Sequence, residues 1–212
     1  MPLKLGMSLV DIKEYLEGDL KRSIRSDVGP VVRPEVEEGG YFAVPRLVLS
    51  YVDFLGALYG RYSGEKDRSG RRLIATPKKA TKFIREIMKE VDELYDKSGD
   101  LLHEMYRHGT VHRYQPHALK RSDGRELNWL CYKGPRESWV NVPRALKVRH
   151  LQPVRRDANS DWLPVSITCL YGDLLLAVDV FWKKLESDAN LVENWRSAAD
   201  ALCQPEETRL SW

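Results

Sequence analysis

The chain has 212 residues, of which 42% are hydrophobic and 31% charged, and its formal net charge is +3. This composition is typical of a soluble globular protein that buries a proper core, and it predicts one domain over residues 1–212. No apolar run reaches the length of about 18 residues that a membrane span needs, and no secretory signal precedes the first polar residues. Three widely spaced cysteines favour neither a disulfide framework nor a zinc module, so a cytoplasmic location is expected.

The first half of the chain has helical periodicity. Ser8, with Asp11 three residues later, is typical of a helix N-cap, and this helix is expected over 8–26. A turn-rich connection that includes Gly29 and Pro30 follows, and an almost wholly apolar stretch then predicts a buried helix over 45–59. Another helix is expected to begin at Thr76 and Pro77 and to break at 98–100, and a further helix should run from there to Pro116.

The second half begins differently. The segments 127–132 and 138–142 flank a Lys-Gly-Pro-Arg turn, which predicts a β-hairpin inserted at 126–142. Helical periodicity returns over 163–185 and 191–202. The expected fold class is therefore all-α: an antiparallel bundle of about six helices with one inserted β-hairpin.

Basic residues are concentrated in two runs. The run from Arg61 to Lys82 contains eight basic residues and only two acidic ones. The second run has no acidic residue before Asp157, and its basic members are Arg144, Lys147, Arg149, Arg155 and Arg156. Such patches bind phosphates, and we therefore regard these five residues as candidate RNA contacts. The alternative is that both runs are solvated loops.

A third feature is the octet from Arg107 to Tyr114, which reads RHGTVHRY. An imidazole titrates near neutral pH and can transfer a proton, and a guanidinium binds the phosphate whose charge grows in a transition state. The octet resembles the R-x4-H-x-Y signature of the HEPN superfamily, a set of small helical domains that includes many metal-independent ribonucleases. The resemblance covers the helical stretch best, because the predicted hairpin and the two last helices exceed a minimal member.

The resemblance implies an endoribonuclease whose catalytic residues are Arg107, His112 and His108. His112 would act as general base on the ribose 2′-hydroxyl, which then attacks the adjacent phosphate. Arg107 would stabilise the phosphorane, and His108 would position the phosphate or protonate the leaving oxygen. No cofactor and no metal are needed, because the 2′-hydroxyl is an internal nucleophile. The products would carry 2′,3′-cyclic phosphates.

The resemblance also implies partners besides RNA. On a regular helix Arg107 and His112 are about 140° apart, so one helix does not bring them together without distortion near Gly109. HEPN domains typically form two-fold dimers whose signature helices line one cleft, and a homodimer is therefore expected. In members paired with a nucleotidyltransferase antitoxin, the tyrosine at the position of Tyr114 receives a nucleotide. The alternative for Tyr114 is an aromatic side chain that packs at the helix end.

Other interpretations of the same residues stay open. His108 and His112 lie four apart, near His103 and His117, and with Glu104 they form a candidate metal site, although the sequence is not H-E-x-x-H. Glu104 also lies three residues before Arg107, at the spacing of an ordinary ion pair within a helix. Finally, the chain is alternatively a non-catalytic helical dimer that serves as a protein or nucleotide interaction module.

Overall fold

The computed structural model describes residues 3–33, 35, 38–66, 77–108 and 115–205, apart from the side chains of Pro77 and His108. The α-helices are α1 (Leu9–Lys13), α2 (Lys21–Val32), α3 (Ala43–Tyr59), α4 (Pro77–Glu86), α5 (Leu94–Leu102), α6 (Ile167–Ser187) and α7 (Ala189–Cys203). The strands are β1 (Leu119–Lys120), β2 (Glu126–Tyr132), β3 (Glu137–Asn141), β4 (Ala145–Arg149), β5 (Val154–Arg155) and β6 (Ser160–Ser166). No helix among these described segments has both the length and the apolar character to cross a membrane.

The first helix begins where the sequence predicts. Ser8 is the N-cap, and the Ser8 and Asp11 side chains each accept from the other's backbone N–H, which completes a capping box. Seven residues of π-helix, Glu14–Leu20, join α1 to α2 without a break. Pro30 lies inside α2, so the predicted turn at Gly29 and Pro30 is wrong, and the helix ends instead at Arg33 in the left-handed region, with φ 36°.

A second boundary was also predicted wrongly, because Gly99 lies inside α5 and does not end a helix. A Cβ at Gly99 would lie 2.5 Å from Cγ2 of Ile84 on α4, so this glycine allows two helices to pack closely. The break between α4 and α5 comes earlier, where a 3-10 turn spans Met88–Glu90 and the Asp92 side chain accepts from the backbone N–H of Leu94.

The all-α expectation is wrong, because the protein is a mixed α/β fold in which 57% of the described residues are helical and 16% are in strands. Four strands form a sheet in the order β1-β2-β6-β5, in which β2 and β6 are parallel and the other two pairs antiparallel. The remaining strands, β3 and β4, form an antiparallel hairpin that turns at 142–144. The predicted pairing of 127–132 with 138–142 therefore does not occur.

The hairpin prediction failed because β2 pairs with a strand that is distant along the chain. The strand β2 has the apolar residues of a strand, but its partner in the sheet comes about 34 residues later, and parallel strands need such a long connection. The second half of β6 was predicted as helix, because the helical periodicity of the following residues was extended back to Leu163. The helix begins only at Ile167, where the Ser166 side chain accepts from the N–H of Cys169 as N-cap.

The sheet lies between two apolar layers. From one face, Leu127, Leu163 and Val165 pack into the large core that the helices form. From the other face, Leu130 and Tyr132 join a smaller cluster with Val148 of the hairpin. The hairpin is thus a third layer, and its outward side chains alternate with the inward ones.

A buried polar network connects this hairpin to the helices. Arg136, just before β3, donates from Nη1 to Asp92 at 2.5 Å and from Nη2 to Asp173 on α6 at 2.7 Å. The Tyr95 hydroxyl of α5 donates to Asp173 at 2.9 Å. Both carboxylates are almost fully buried, with 4% and 3% of their side chains exposed. Burial raises the pKa of Asp173, and the nearby Arg136 acts in the opposite direction.

His150 completes the network in its neutral form. Its Nδ1 accepts the backbone N–H of Ser166 at 3.0 Å, so the proton is on Nε2, which lies 3.2 Å from the Tyr95 hydroxyl. The side chain is fully buried, and desolvation, with Arg136 close by, lowers the pKa of His150 to about 3. The protonated, charged form of His150 is therefore disfavoured in the folded protein.

We expect the free energy of unfolding to fall as the pH falls below 6.5, because only the unfolded chain then protonates His150. The contribution of neutral His150 to the free energy of unfolding is fully present above pH 6.5 and is lost progressively down to about pH 3. Between pH 7.5 and 5.5 it amounts to about 1.4 kcal/mol. Urea unfolding at both pH values should show this loss in the wild type and a smaller loss in His150→Asn, which keeps an acceptor for Ser166. Equal pH dependence in the two proteins would contradict a neutral, buried His150.

Candidate functional site

The cluster around Asp53 contains the first residue of the candidate catalytic octet. Asp53 is the only charged residue between Leu47 and Tyr59, and its side chain is 9% exposed. Its Oδ2 accepts from Nε of Arg107 at 2.5 Å, and its Oδ1 lies 3.1 Å from Nε2 of His103. Because an ionised carboxylate only accepts, Nε2 of His103 carries the proton in this contact. The Asp53 carboxylate of α3 thus binds the side chains of His103 and Arg107, which follow α5 in the chain.

The backbone of this segment is not a regular α-helix. After α5 the chain continues as π-helix over His103–His108, so the regular geometry that separates Arg107 and His112 by about 140° does not describe its beginning. The Arg107 side chain is 28% exposed. Within the described part of the chain its hydrogen bond to Asp53 uses Nε, and the terminal nitrogens have no hydrogen bond there.

The remaining predicted catalytic residues cannot be placed beside Arg107. His112 and Tyr114 lie outside the described residues, as does the side chain of His108. The predicted Glu104–Arg107 ion pair is not observed, because Arg107 binds Asp53 and Glu104 lies 3.9 Å from His117. Within the described ranges no group of three His, Cys, Asp or Glu side chains is arranged to hold a metal ion. The candidate metal site depends on the two histidines that are not described.

The five candidate RNA contacts, in contrast, all lie along β4 or in the segments that flank it. Two adjoining cavities follow β4, on the side where the chain turns back into β5. Lys147 and Arg149 line the first, of about 270 Å³, together with Glu137. Arg144, Arg155 and Arg156 line the second, of about 440 Å³. We call these two cavities the β4 groove.

An aromatic ring and few acidic groups characterise the β4 groove. Trp162 of β6 lines the second cavity, and the Arg156 guanidinium lies over its ring at 5.2 Å. The acidic lining residues are Glu137, 3.0 Å from Lys147, and Asp157, 3.7 Å from Arg156. Five basic side chains therefore oppose two acidic ones along the groove.

Two groove arginines also contact carboxylates beneath the surface. Nε of Arg155 lies 3.1 Å from the buried Asp161, which Arg121 and Arg125 also approach. Nη2 of Arg149 lies 4.0 Å from Asp92 of the polar network. Arg144 is exposed at the hairpin turn and has no ion pair among the described residues. The groove thus combines anchored arginines with a freely accessible one.

The β4 groove and Arg107 are separated by the length of α5. Asp92, near Arg149, precedes this helix. Arg107 lies beyond the other end of the helix, fifteen residues after Asp92. At about 1.5 Å of rise per residue, the two places lie roughly 20 Å apart. Arg107 and the five groove residues therefore do not line one compact pocket within a single chain.

The other predicted basic run is described only in part, because residues 67–76 lie outside the described ranges. Of its described members, Lys79 forms an ion pair with Glu65, and its Nζ lies 5.3 Å from the centre of the Tyr62 ring. Lys82 lies over Tyr59 at 5.2 Å. These two lysines are engaged within the protein, and Lys82 also lines a cavity of about 390 Å³ together with Lys184 and Asp188.

Comparisons with known proteins do not assign this chain to a family. No family model, curated protein or solved structure matches this chain. The resemblance to the HEPN superfamily therefore depends on the octet alone, and the helical fold that it implied is not the observed one.

Several polar residues that organise these sites were not predicted from the sequence. A single carboxylate inside an apolar helix is the signal that was available for Asp53, and Asp173 gives a weaker signal as an aspartate in the apolar first half of α6. Such a group needs a cation or several donors, and the structure provides Arg107 and Arg136. The partners themselves were not predictable, because they lie 54 and 37 residues away along the chain.

We expect Asp53→Asn to lower the free energy of unfolding by about 1.5–3 kcal/mol, because charge-assisted hydrogen bonds to Arg107 and His103 are lost. Urea unfolding measures this change. The matched control is Asp96→Asn, an exposed aspartate of α5, which should change stability by no more than about 0.5 kcal/mol. If the double variant Asp53→Asn, Arg107→Ala is destabilised by the sum of the single changes, Asp53 does not anchor Arg107.

Proposed function

We propose that this chain binds RNA and cleaves it as a metal-independent endoribonuclease. The observation that carries the proposal is the β4 groove, since five basic residues chosen as RNA contacts from the sequence line two adjoining cavities. Residues from two strands and the turns around them contribute, so their convergence is a property of the fold and not of the sequence run alone.

The groove has the chemistry that a nucleic-acid strand requires. Lysine and arginine side chains neutralise phosphates and release condensed counterions, and arginine also stacks on flat rings. A largely accessible Lys147 and an exposed Arg144 supply such cations at separate points along β4. Trp162 with Arg156 adds an aromatic surface within the same groove.

Cleavage is proposed from the octet and from the anchoring of Arg107. An arginine that stabilises a phosphorane must already be oriented when charge develops, because reorientation during the reaction would cost free energy. Asp53 holds Nε of Arg107 and leaves the terminal groups available. In this proposal His112 removes the proton of the 2′-hydroxyl, and His108 positions the phosphate or protonates the 5′-oxygen.

The distance between groove and Arg107 fits a composite arrangement. RNA bound along β4 would extend roughly 20 Å to reach Arg107 of the same chain, or would meet Arg107 of a second copy. We propose the second arrangement as a two-fold homodimer in which the segment around Arg107 lies at the interface. A nucleotidyltransferase that modifies Tyr114 belongs to the same proposal.

Removing accessible groove cations should weaken RNA binding through its electrostatic part. For Arg144→Ala and Lys147→Ala we expect the slope of log K against log salt to shrink by about 0.7 each, since each contact to a single strand releases about that many counterions. Fluorescence anisotropy with a labelled oligonucleotide over a salt series measures it. Lys183→Ala, an exposed lysine at the far end of α6, is the matched control and should leave the slope unchanged.

Removing the proposed catalytic groups should stop cleavage without stopping binding. We expect His112→Ala to abolish cleavage of total RNA and Arg107→Ala to lower the rate by about 10²- to 10³-fold. Arg107→Lys should recover the rate only in part, because a point charge replaces a planar fork. Wild-type cleavage should persist in EDTA and yield 2′,3′-cyclic phosphates, and Lys183→Ala should cleave like the wild type.

Mixing the two inactive variants tests the composite site. If each site takes Arg107 from one subunit and His112 from the other, a mixture of Arg107→Ala and His112→Ala regains about a quarter of the wild-type rate. Activity that chelators remove and zinc restores would instead favour the histidine metal site. RNA binding without any cleavage by the wild type would favour the non-catalytic interaction module.

A further inference from the structure

The outer face of the hairpin carries an aromatic side chain that the fold does not use. Trp139 of β3 is 70% exposed, whereas the other tryptophans in the described ranges are buried or half-buried. It is also the only exposed aromatic residue in the part of the chain that the structure describes. Exposing so large an apolar surface gives no stability, because burial of such surface is what drives folding.

The register of the hairpin places this ring among cations. Trp139 lies directly opposite Lys147, and Glu137 two residues before it lies opposite Arg149. Side chains directly opposite each other on one face are about 5 Å apart at Cβ, and diagonal neighbours are about 7–8 Å apart. Lys147 is therefore a neighbour of the Trp139 ring, and Arg149 is within reach of it.

The same two cations belong to the β4 groove. Lys147 and Arg149 line its first cavity, and they project from the hairpin on the side that carries Trp139. Strand residues alternate between the faces, and Ser138 and Val140 point the other way, toward the small apolar cluster. The ring and the two cations thus share the outer face of the hairpin, and the cations also line the first cavity of the groove.

We propose that Trp139 is a stacking platform for an unpaired base, so that the RNA bound by the β4 groove is single-stranded. This inference rests on the proposed RNA-binding function. A base can lie flat on an exposed indole only when its own face is free, which excludes a base within a duplex. Its phosphates then lie near Lys147 and Arg149, where they compete with Glu137 for Lys147.

The hairpin suits this task because its backbone is fixed. The inward residues Val140, Leu146 and Val148 pack against the sheet, and Arg136 at the start of β3 is held by Asp92 and Asp173. An aromatic ring on a rigid strand loses little conformational entropy when a base stacks on it. Charge complementarity favours a polyanion over an uncharged partner at the same face.

Binding of matched probes to single variants tests the platform. The probes are a fluorescein-labelled oligouridine of about a dozen nucleotides and a labelled RNA duplex of the same length, both measured by anisotropy. We expect Trp139→Ala to weaken oligouridine binding about 5- to 100-fold and to leave duplex binding unchanged. Trp139→Phe should keep most of the affinity. Leu176→Ala, which removes an exposed apolar side chain from α6, should bind like the wild type.

The salt dependence separates stacking from charge. Trp139→Ala should lower the affinity at every salt concentration without changing the slope, because no phosphate contact is removed. Wild-type binding of neither probe would overturn the proposed RNA function and this inference together. Oligouridine binding that Trp139→Ala leaves intact, or an equal loss with oligouridine and duplex, would overturn the platform alone. So would a Trp139→Ala defect confined to binding of phosphatidylserine vesicles or of an acidic peptide.

Discussion

Asp173 and Asp92 are two nearly dehydrated carboxylates, and their neutralisation by Arg136 is the interaction on which the architecture depends. A buried carboxylate without a partner would cost several kcal/mol, so helices and hairpin must meet where the guanidinium satisfies both. Asp173 comes from α6, Asp92 from the turn before α5, and Arg136 from the chain entering β3. The network therefore fixes the hairpin relative to the helices.

Hydrogen bonds to His150 extend this constraint into the sheet. The imidazole accepts the N–H of Ser166, at the point where β6 becomes α6, and contacts the Tyr95 hydroxyl of α5. Since His150 directly follows β4, the last strand of the hairpin is attached to the polar network at its base. The basic side chains of β4 and the turn into β5 keep their relative positions for this reason, and with them the groove that they line.

At the other end of α5, the Asp53 cluster is likewise built on a buried carboxylate that needs donors. A single carboxylate in an apolar helix is tolerated because Arg107 and His103 donate to it, and these contacts fix the guanidinium of the octet. The role of Arg107 in holding Asp53 and its proposed role toward a phosphate are compatible, because they use different nitrogens. The two ends of α5 thus have comparable buried carboxylates, but only the Asp53 end carries residues of the octet.

The sequence by itself determined local features. It predicted the cap at Ser8 and the apolar helix that contains α3, because each depends on neighbours within a few positions. The five basic residues were also chosen from the sequence, but that they line two cavities is a property of the fold. The pairing of β2 with β6 and the packing of Gly99 against Ile84 became known from the tertiary structure alone. The same is true of the cations that meet Asp53 and Asp173 and of the outward position of Trp139 beside Lys147. Most of these contacts join residues that are distant along the chain, and periodicity or propensity contains no information about such partners.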